Sequence, residues 1–252
     1  MLAEFSREEF LSDYFTYRPG EHVIIVSPTG GGKSYLMWQL LERAMQDHPD
    51  LRPVYFMPKP SDETTDDWAE RLGLHETPVW PPKKKLFAAK PPGYVLWPQH
   101  PQLLDPDERH AVVGAQLRKG LDAQFWTPRT ISLVDDAHSA SSMYGLAKPI
   151  EEHLVNGRSN RSAIWLATQK PSGTIVSGGL TSYAWNSGSH LFLGKSPAEA
   201  DVQKYSEISG IDPQLVMSTV RNLRTYDVGA DGAITQWLYI NKSGPFAAVI
   251  DP

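Results

Sequence analysis

The sequence predicts an α/β fold in which a mainly parallel sheet is sandwiched between helices. Two observations predict it. Short apolar runs rich in β-branched residues alternate along the chain with longer segments whose apolar residues recur at helical spacing. The run at residues 23–26 is also apolar throughout rather than alternating, which is typical of a strand buried on both faces.

Residues 5–15 are predicted to form a short helix that packs on the core. Ser6 and Glu9 have the spacing of a capping box, in which the two side chains satisfy the free N–H groups of the first helical turn. Pro19 and Gly20 then turn the chain into the first strand.

Residues 22–41 carry the clearest pattern. A buried strand at 23–26 leads into a glycine-rich turn, and apolar residues at helical spacing follow Lys33. Strand, turn and helix in this order are what a P-loop requires. Glycines let backbone N–H groups surround an anion, and the helix N-terminus adds positive potential. The segment therefore predicts a nucleotide site.

Individual roles follow for the residues of this loop. Lys33 is expected on the β- and γ-phosphates, and the Ser34 hydroxyl on Mg²⁺. Ser27 departs from the pattern G-x-x-x-x-G-K-[ST], because it stands at the position of the first glycine. The predicted nucleotide-binding residues are Pro28, Thr29, Gly30, Gly31, Gly32, Lys33, Ser34 and Tyr35.

A second strand is predicted at residues 54–57. Residues 58–92, which are rich in proline and charge, are expected to form a variable insertion at one edge of the sheet, with a short helix near 66–72. The remaining elements rest on the same periodicities. They are helices at 105–125, 147–156, 198–206 and 213–220, strands at 93–97, 130–134, 163–167, 190–194 and 246–250, and a hairpin formed by 223–228 and 234–240.

The strand at residues 130–134 closes on two carboxylates, Asp135 and Asp136. In a P-loop enzyme the first carboxylate belongs to the Mg²⁺ shell, and the second polarises or positions the attacking water. We assign Asp135 the metal role and Asp136 the water role. Acidic residues often follow strands, so the pair alone is weak evidence. It indicates a metal and water site because a P-loop precedes it in the chain.

The strand at residues 163–167 ends on Thr168 and Gln169. A polar side chain at the carboxyl end of a central strand points into the crevice where phosphates lie, so Gln169 is expected to bind the γ-phosphate or the attacking water. Arg158 and Arg161 precede the strand and are expected at the opposite end of the sheet. Each is either a surface ion-pair residue or an arginine finger for a neighbouring subunit.

The chain has 252 residues, no cysteine and a net charge of −5. The absence of cysteine excludes disulfides and cysteine-bound zinc, and fits a cytoplasmic protein. No signal-peptide pattern or apolar run long enough to span a bilayer occurs, so no membrane anchor is expected. The net charge leaves a local basic channel for nucleic acid open. Candidate contacts are the lysines of residues 83–90 and the Gly/Ser-rich segment 172–189.

Taken in series, these motifs resemble the HerA/FtsK superfamily of ring-forming, DNA-pumping P-loop ATPases. The features that carry the resemblance are Ser27-Pro-Thr-Gly-Gly-Gly-Lys-Ser34, Val134-Asp-Asp-Ala-His138, and Gly157-Arg158 followed by Ile164-Trp-Leu-Ala-Thr-Gln-Lys-Pro171. Phe56-Met-Pro-Lys59 is similar to the family's Asp-Pro-Lys, with Met57 in place of the aspartate. The resemblance covers roughly residues 22–195.

The resemblance implies a RecA-like (ASCE) sheet in which the Gln169 strand lies between the P-loop strand and the Asp135 strand. It implies ATP hydrolysis with Mg²⁺, a homo-oligomeric ring, and Arg158 acting on the adjacent subunit's nucleotide. Asp136 departs from the family pattern, because the family has the longer glutamate there. Residues 1–195 would be the ATPase domain, and 196–252 a C-terminal α/β extension of it.

Within the superfamily, the compact chain looks most like the genome-packaging ATPases of small tailed phages. Such an enzyme docks on a portal and moves double-stranded DNA, without reading its sequence, in the host cytoplasm. One alternative is a superfamily ATPase for DNA transfer, segregation, or extrusion of protein or particles. The other is a slow ATP-binding switch with Asp136 as the impaired position. A small-molecule kinase is disfavoured, since no segment resembles an acceptor lid.

Overall fold

The computed structural model describes residues 2–83, 90–171, 182–227, 233–244 and 246–252. The strands are β1 (Ala3–Ser6), β2 (His22–Val26), β3 (Arg52–Phe56), β4 (His75–Thr77), β5 (Tyr94–Leu96), β6 (Thr130–Val134), β7 (Ser162–Thr168), β8 (Gly188–Gly194), β9 (Thr225–Asp227), β10 (Ala233–Thr235), β11 (Trp237–Asn241) and β12 (Phe246–Asp251). The helices are α1 (Arg7–Glu9), α2 (Lys33–Asp47), α3 (Glu63–Leu72), α4 (Pro106–Phe125), α5 (Ala137–Ser142), α6 (Ala147–Asn156), α7 (Ser182–Ser187), α8 (Glu199–Ile208) and α9 (Pro213–Asn222).

Ten strands form one sheet in the order β1-β12-β11-β8-β2-β7-β6-β3-β5-β4. Strand β11 runs antiparallel to both of its neighbours, and the other adjacent pairs are parallel. The predicted α/β class is confirmed. The expected order is confirmed as well, since β7 lies between β2 and β6.

Strand β2 shows why the centre of the sheet is apolar on both faces. All five of its residues are buried, and the four apolar ones divide between two cores. Ile24 and Val26 belong to the core that includes α4 and α6, whereas Val23 and Ile25 belong to the core that includes α2. A strand covered on both faces reads as a continuous apolar run, which is the pattern that located it.

The N-terminal helix starts later than predicted. Residues Ala3–Ser6 pair with β12 as an edge strand, and the helix begins at Arg7 and continues as a π-helical turn over Phe10–Tyr14. The capping expectation holds at Ser6, whose Oγ accepts a hydrogen bond of 3.2 Å from the Glu9 N–H. The strand could not be predicted, because its partner comes from the far end of the chain.

The predicted insertion at residues 58–92 is more regular than expected. It contains α3, which extends the helix predicted near 66–72, and the edge strand β4. Strand β4 has only three residues, His75–Thr77, and no apolar alternation, so no local signal marked it. Residues 84–89 lie outside the described residues.

The predicted C-terminal extension contributes to the same sheet. Helices α8 and α9 precede a separate two-stranded sheet of β9 and β10, and β11 and β12 then join the main sheet next to β8. The predicted hairpin is therefore divided, because its second half forms both β10 and β11. Its turn at residues 230–232 is not among the described residues. In the part of the chain that the structure describes, no helix is long and apolar enough to cross a membrane.

A buried polar cluster closes the amino-terminal end of β7. His153 Nε2 lies 2.6 Å from Ser162 Oγ, which donates to the Gln124 carbonyl at 2.9 Å. Burial lowers the pKa of His153 to about 3, so this imidazole is neutral in the folded chain. Gly157 leaves the space for it, since a Cβ there would lie 2.6 Å from both His153 Cδ2 and the Ser162 carbonyl.

We predict that Gly157→Ala destabilises the chain by about 1–3 kcal/mol, because the added methyl overpacks a closed site. The backbone itself allows alanine, with φ at −60°. Urea denaturation monitored by circular dichroism measures the change. Gly244→Ala is the matched control, since a Cβ at Gly244 meets nothing within 4 Å. Equal stability of the two variants would contradict the packing argument.

Candidate nucleotide site

The carboxyl ends of β2, β6 and β7 border a cavity of about 490 Å³, which we call the strand-end cavity. Its lining comprises Arg7, Thr29, Gly30, Gly31, Gly32, Lys33, Ser34, Tyr35, Lys59, Thr64, Asp135, Asp136, Thr168, Gln169, Thr235 and Trp237. Every predicted loop residue except Pro28 is among them. The cavity therefore brings together four of the five predicted catalytic residues, with Arg158 as the exception.

The glycine loop (residues 27–34) has the backbone that an anion site needs. Gly30 and Gly32 have φ values of 80° and 76°, in the left-handed region that favours glycine. Helix α2 begins directly after Gly32, whose carbonyl accepts the first intrahelical bond from Leu36. The N–H groups of the first turn of α2 have no intrahelical partner, so they are available to an anion in the cavity.

The Lys33 ammonium folds back over this loop. Its Nζ donates to the Ser27 carbonyl at 2.8 Å and to the Pro28 carbonyl at 2.9 Å. Burial lowers the pKa of Lys33, and the Asp135 carboxylate offsets part of that effect. Lys33 thus places a positive charge at the mouth of the glycine loop.

Ser34 and Asp135 meet inside the cavity. Ser34 Oγ donates to Asp135 Oδ2 at 2.6 Å, while Asp135 Oδ1 is buried and has no hydrogen-bond partner in the part of the chain that the structure describes. Burial raises the pKa of Asp135. A hydroxyl oxygen and a carboxylate with one unused oxygen fit Mg²⁺, which prefers hard oxygen ligands. Within the described ranges no group of three acidic or histidine residues could hold a metal, so phosphate and water would complete the shell.

Asp136 is held by its own helix. It caps α5, with Oδ1 accepting from the Ser139 N–H at 3.0 Å and Oδ2 from Ser139 Oγ at 2.8 Å. Both carboxylate oxygens are therefore engaged, although the residue lines the cavity. Its predicted role in positioning water stays a prediction.

Gln169 and the two arginines lie at opposite ends of β7. Gln169 follows the carboxyl end of the strand and is half-buried in the cavity wall. Arg158 and Arg161 are exposed and precede the strand, whose seven residues span about 20 Å. Among the described residues no ion pair involves either arginine. Both arginines therefore lie at the end of β7 opposite to Gln169, as the sequence predicted, and neither lines the cavity of its own chain.

Ser27 occupies space that two glycines leave open. It is buried, and its N–H donates to the Thr168 carbonyl at 3.2 Å. A Cβ at Gly31 would lie 2.0 Å from Ser27 Oγ, and a Cβ at Gly194 would lie 2.6 Å from it. The departure from the P-loop pattern is therefore compensated by the absence of side chains at these two positions.

Tyr35 begins a row of aromatic rings beside the cavity. Its ring is half-exposed and meets Trp68 edge-on, with centroids 5.9 Å apart. Trp68 stacks with Trp38 at 6.2 Å, and Trp38 stacks on Tyr55 at 4.4 Å. Burial, and next the charge of Asp135, raise the pKa of Tyr55 well above its usual value. The row thus connects the cavity mouth with the surroundings of Asp135.

Sequence reasoning missed four prominent lining residues, namely Arg7, Lys59, Thr235 and Trp237. Lys59 had a signal, since it ends the segment similar to the family's Asp-Pro-Lys. Burial acts to lower the pKa of Lys59, but Asp135 and Asp62 raise it overall. The other three had no local signal. Arg7 follows β1 and Trp237 begins β11, and β12 pairs with both strands in the main sheet, whereas Thr235 ends β10 shortly before β11.

Comparisons with known proteins bear on the fold. No family model matches the chain, and no curated protein matches it. Solved structures do match. The genome packaging NTPase B204 of Sulfolobus turreted icosahedral virus 2 superposes with a TM-score of 0.58 at 13% identity, over 93% of this chain and 98% of that one. The fold is that of a P-loop ATPase.

Two further solved structures share the fold. The DNA-packaging ATPase B204 of Sulfolobus Turreted Icosahedral Virus gives a TM-score of 0.55 at 12% identity, over 94% of this chain and 99% of that one. The cytoplasmic domain of the Thermomonospora curvata type VII secretion ATPase EccC gives 0.51 at 14%, over 91% of this chain but 25% of that one. The predicted resemblance is confirmed at the level of the fold. B204 of Sulfolobus turreted icosahedral virus 2 has also been solved with AMPPCP and with ATP-γS.

We predict that Asp135→Asn raises the free energy of unfolding by about 1 kcal/mol at pH 7, which corresponds to a rise in Tm of about 2–4 °C. The substitution removes a buried charge and keeps an acceptor for the Ser34 hydroxyl. The folded-state pKa of Asp135 lies above its ordinary 3.8, so the wild type loses stability as the pH rises above that value, and the variant avoids this loss. Thermal melts at pH 4 and 7 measure both effects. Asp136→Asn, which keeps its capping role, is the control, and a lower Tm for Asp135→Asn would refute the prediction.

We also predict that Gly31→Ala is destabilising in the wild type and much less so in a Ser27→Gly background. The clash at 2.0 Å involves the Ser27 hydroxyl, so removing that side chain relieves it, and only a contact of 3.2 Å to the Pro28 carbonyl remains. A double-mutant cycle on Tm, with an expected coupling of about 1–3 kcal/mol, measures the relief. Strictly additive effects would show that the two positions are independent.

Proposed function

We propose that this protein is an ATP-hydrolysing motor that translocates double-stranded DNA as a homo-oligomeric ring, in viral genome packaging. The observation that carries the ATPase part is the convergence of Lys33, Ser34, Asp135 and Gln169 on one cavity. The likeness in fold to viral packaging NTPases supports the packaging assignment. In that setting the enzyme acts in the host cytoplasm and docks on a portal.

The residues divide the hydrolytic work as follows. The N–H groups of the glycine loop and of the first turn of α2 bind the phosphates, and Lys33 leaves the loop carbonyls to pair with the β- and γ-phosphate oxygens. Ser34 and Asp135 would hold Mg²⁺, which supplies charge neutralisation between these phosphates. The Gln169 amide orients the attacking water toward the γ-phosphate.

Arg158 is the reason for proposing a ring. Phosphoryl transfer gains from a cation that neutralises charge developing on the γ-phosphate, which is the role of an arginine finger. Arg158 is exposed at the end of the sheet remote from its own cavity, where a side chain can serve only a neighbouring molecule. In a head-to-tail ring each subunit would supply this residue to the next.

The DNA contacts are proposed from charge alone. Lys83 and Lys90 are exposed at the margins of the insertion, and a backbone-tracking surface needs only local positive potential. Most of the two candidate segments, residues 83–90 and 172–189, lies outside the described residues.

One observation favours a second function, a slow ATP-binding switch. Both carboxylate oxygens of Asp136 accept hydrogen bonds from Ser139, so the residue that should polarise water is occupied as a helix cap. Under this alternative the chain binds ATP but hydrolyses it slowly, and DNA does not change the rate.

Subunit mixing tests the motor proposal. Lys33→Ala disables the nucleotide site of its own subunit but keeps the arginine finger. Arg158→Ala removes the finger but keeps the nucleotide site. Each variant alone should lose most DNA-stimulated ATP hydrolysis, on the order of 10³-fold for the finger. An equimolar mixture should recover a clear fraction of the wild-type rate, because some sites then combine an intact loop with an intact finger. Steady-state phosphate release with and without linear double-stranded DNA measures this.

Arg161→Ala is the matched control, since Arg161 is also exposed and belongs to the same turn. It should keep the wild-type rate. Hydrolysis that ignores DNA and survives Arg158→Ala would overturn the motor proposal and leave the switch.

A further inference from the structure

Arg7 is a buried cation that the hydrolytic mechanism does not use. It is the first residue of α1 and is only 7% exposed, yet it lines the strand-end cavity. Its Nη1 donates to Gln39 Oε1 at 3.1 Å. Among the residues that the structure describes, no carboxylate forms an ion pair with it.

Two nitrogen atoms of the Arg7 guanidinium are available as hydrogen-bond donors to a ligand. Nε and Nη2 are buried and have no hydrogen-bond partner within the described ranges. Burial lowers the pKa of Arg7 to about 10, so the group is still charged at neutral pH. Leaving buried, charged donors unpaired is costly, and native structures rarely do so without a partner that arrives from outside the chain. An acceptor-bearing ligand in the cavity would satisfy both donors.

Sheet order shows which part of a nucleotide would reach Arg7. Strands β6 and β11 are separated by four interstrand spacings of about 4.8 Å each. Strand β2, which leads into the glycine loop, lies midway between them. Ser34, Asp135 and Gln169 mark the β6–β7 side, where the γ-phosphate is proposed to lie. Trp237 of β11 marks the opposite side.

Arg7 belongs to this opposite side. Its partner Gln39 lies one helical turn beyond Tyr35 on the same face of α2, further from the loop. Thr235, which precedes β11, donates from Oγ1 to the Gly31 carbonyl at 3.2 Å and ties this wall to the loop. A nucleotide with its γ-phosphate beside Asp135 therefore extends its nucleoside toward Arg7.

We propose that Arg7 is a nucleotide-binding residue that donates hydrogen bonds to acceptor atoms of the nucleoside, beside the exposed ring of Tyr35. This inference rests on the proposed nucleotide site. It assigns the α1 segment a direct part in ligand binding, in addition to its packing against α2.

Comparing ATP with inorganic tripolyphosphate tests the assignment, because tripolyphosphate has the phosphates but no nucleoside. The Kd of each ligand is measured by calorimetry for the wild type, Arg7→Met and Arg7→Lys. Arg7→Met should raise the Kd of ATP about tenfold, the worth of a charge-assisted hydrogen bond, and change that of tripolyphosphate by less than about twofold. Arg7→Lys keeps the charge but not the planar fork, and should also weaken ATP selectively.

Two controls separate binding from packing. Gln39→Ala removes the structural partner of Arg7 and leaves its guanidinium, so it should keep ATP affinity. Arg43→Met removes an arginine of α2 that does not line the cavity, and should also keep it. Equal weakening of both ligands by Arg7→Met, or an equal loss in Gln39→Ala, would overturn the proposal. Lys33→Ala should weaken both ligands. If it weakens neither, or if the wild type binds neither, the proposed nucleotide site itself fails, which is distinct from a failure of the Arg7 assignment.

Discussion

The hydrogen bond of 2.6 Å between Ser34 Oγ and Asp135 Oδ2 joins the glycine loop to β6 across the intervening strand β7. It can form only because one register fixes all three strand ends. Val26 pairs with Thr168, and Val134 with Leu166, so the loop, the carboxylate and Gln169 leave the sheet at nearly the same level. The apolar runs that build this parallel core therefore also set the geometry of the chemistry above it.

The other wall of the cavity has a different origin. It is built from β11 and from the segment that follows β1, and both reach the site because β12 pairs with β1 on one side and with β11 on the other. Ser27, placed between Gly31 and Gly194, packs the loop against β8, the strand next to β11. A change on this side of the sheet is thus transmitted to the glycine loop through direct packing.

Local patterns explain what the sequence predicted correctly. The glycine loop, the β6 carboxylates and the Gln169 strand are each encoded within about ten consecutive residues, so spacing alone locates them. Arg7 reaches the site through the pairing of β1 with β12, segments more than 200 residues apart, and Trp237 reaches it through the pairing of β11 with β8. No short window along the chain contains that information. Asp136 illustrates a further limit of prediction from sequence. An aspartate with a serine three residues later, here Ser139, is compatible both with a helix cap and with a residue that positions water, so the sequence does not distinguish the two roles.

The row of rings from Tyr35 through Trp68 and Trp38 to Tyr55 gives the chain an intrinsic optical reporter. Indole emission depends on neighbouring rings and charges, and here the two indoles lie between the cavity mouth and a tyrosine influenced by Asp135. Trp237 lines the same cavity, and the other five of the eight tryptophans contribute background. Occupancy of the cavity should therefore be visible as a partial change in fluorescence, so that ligand exchange can be timed in solution without attaching a dye.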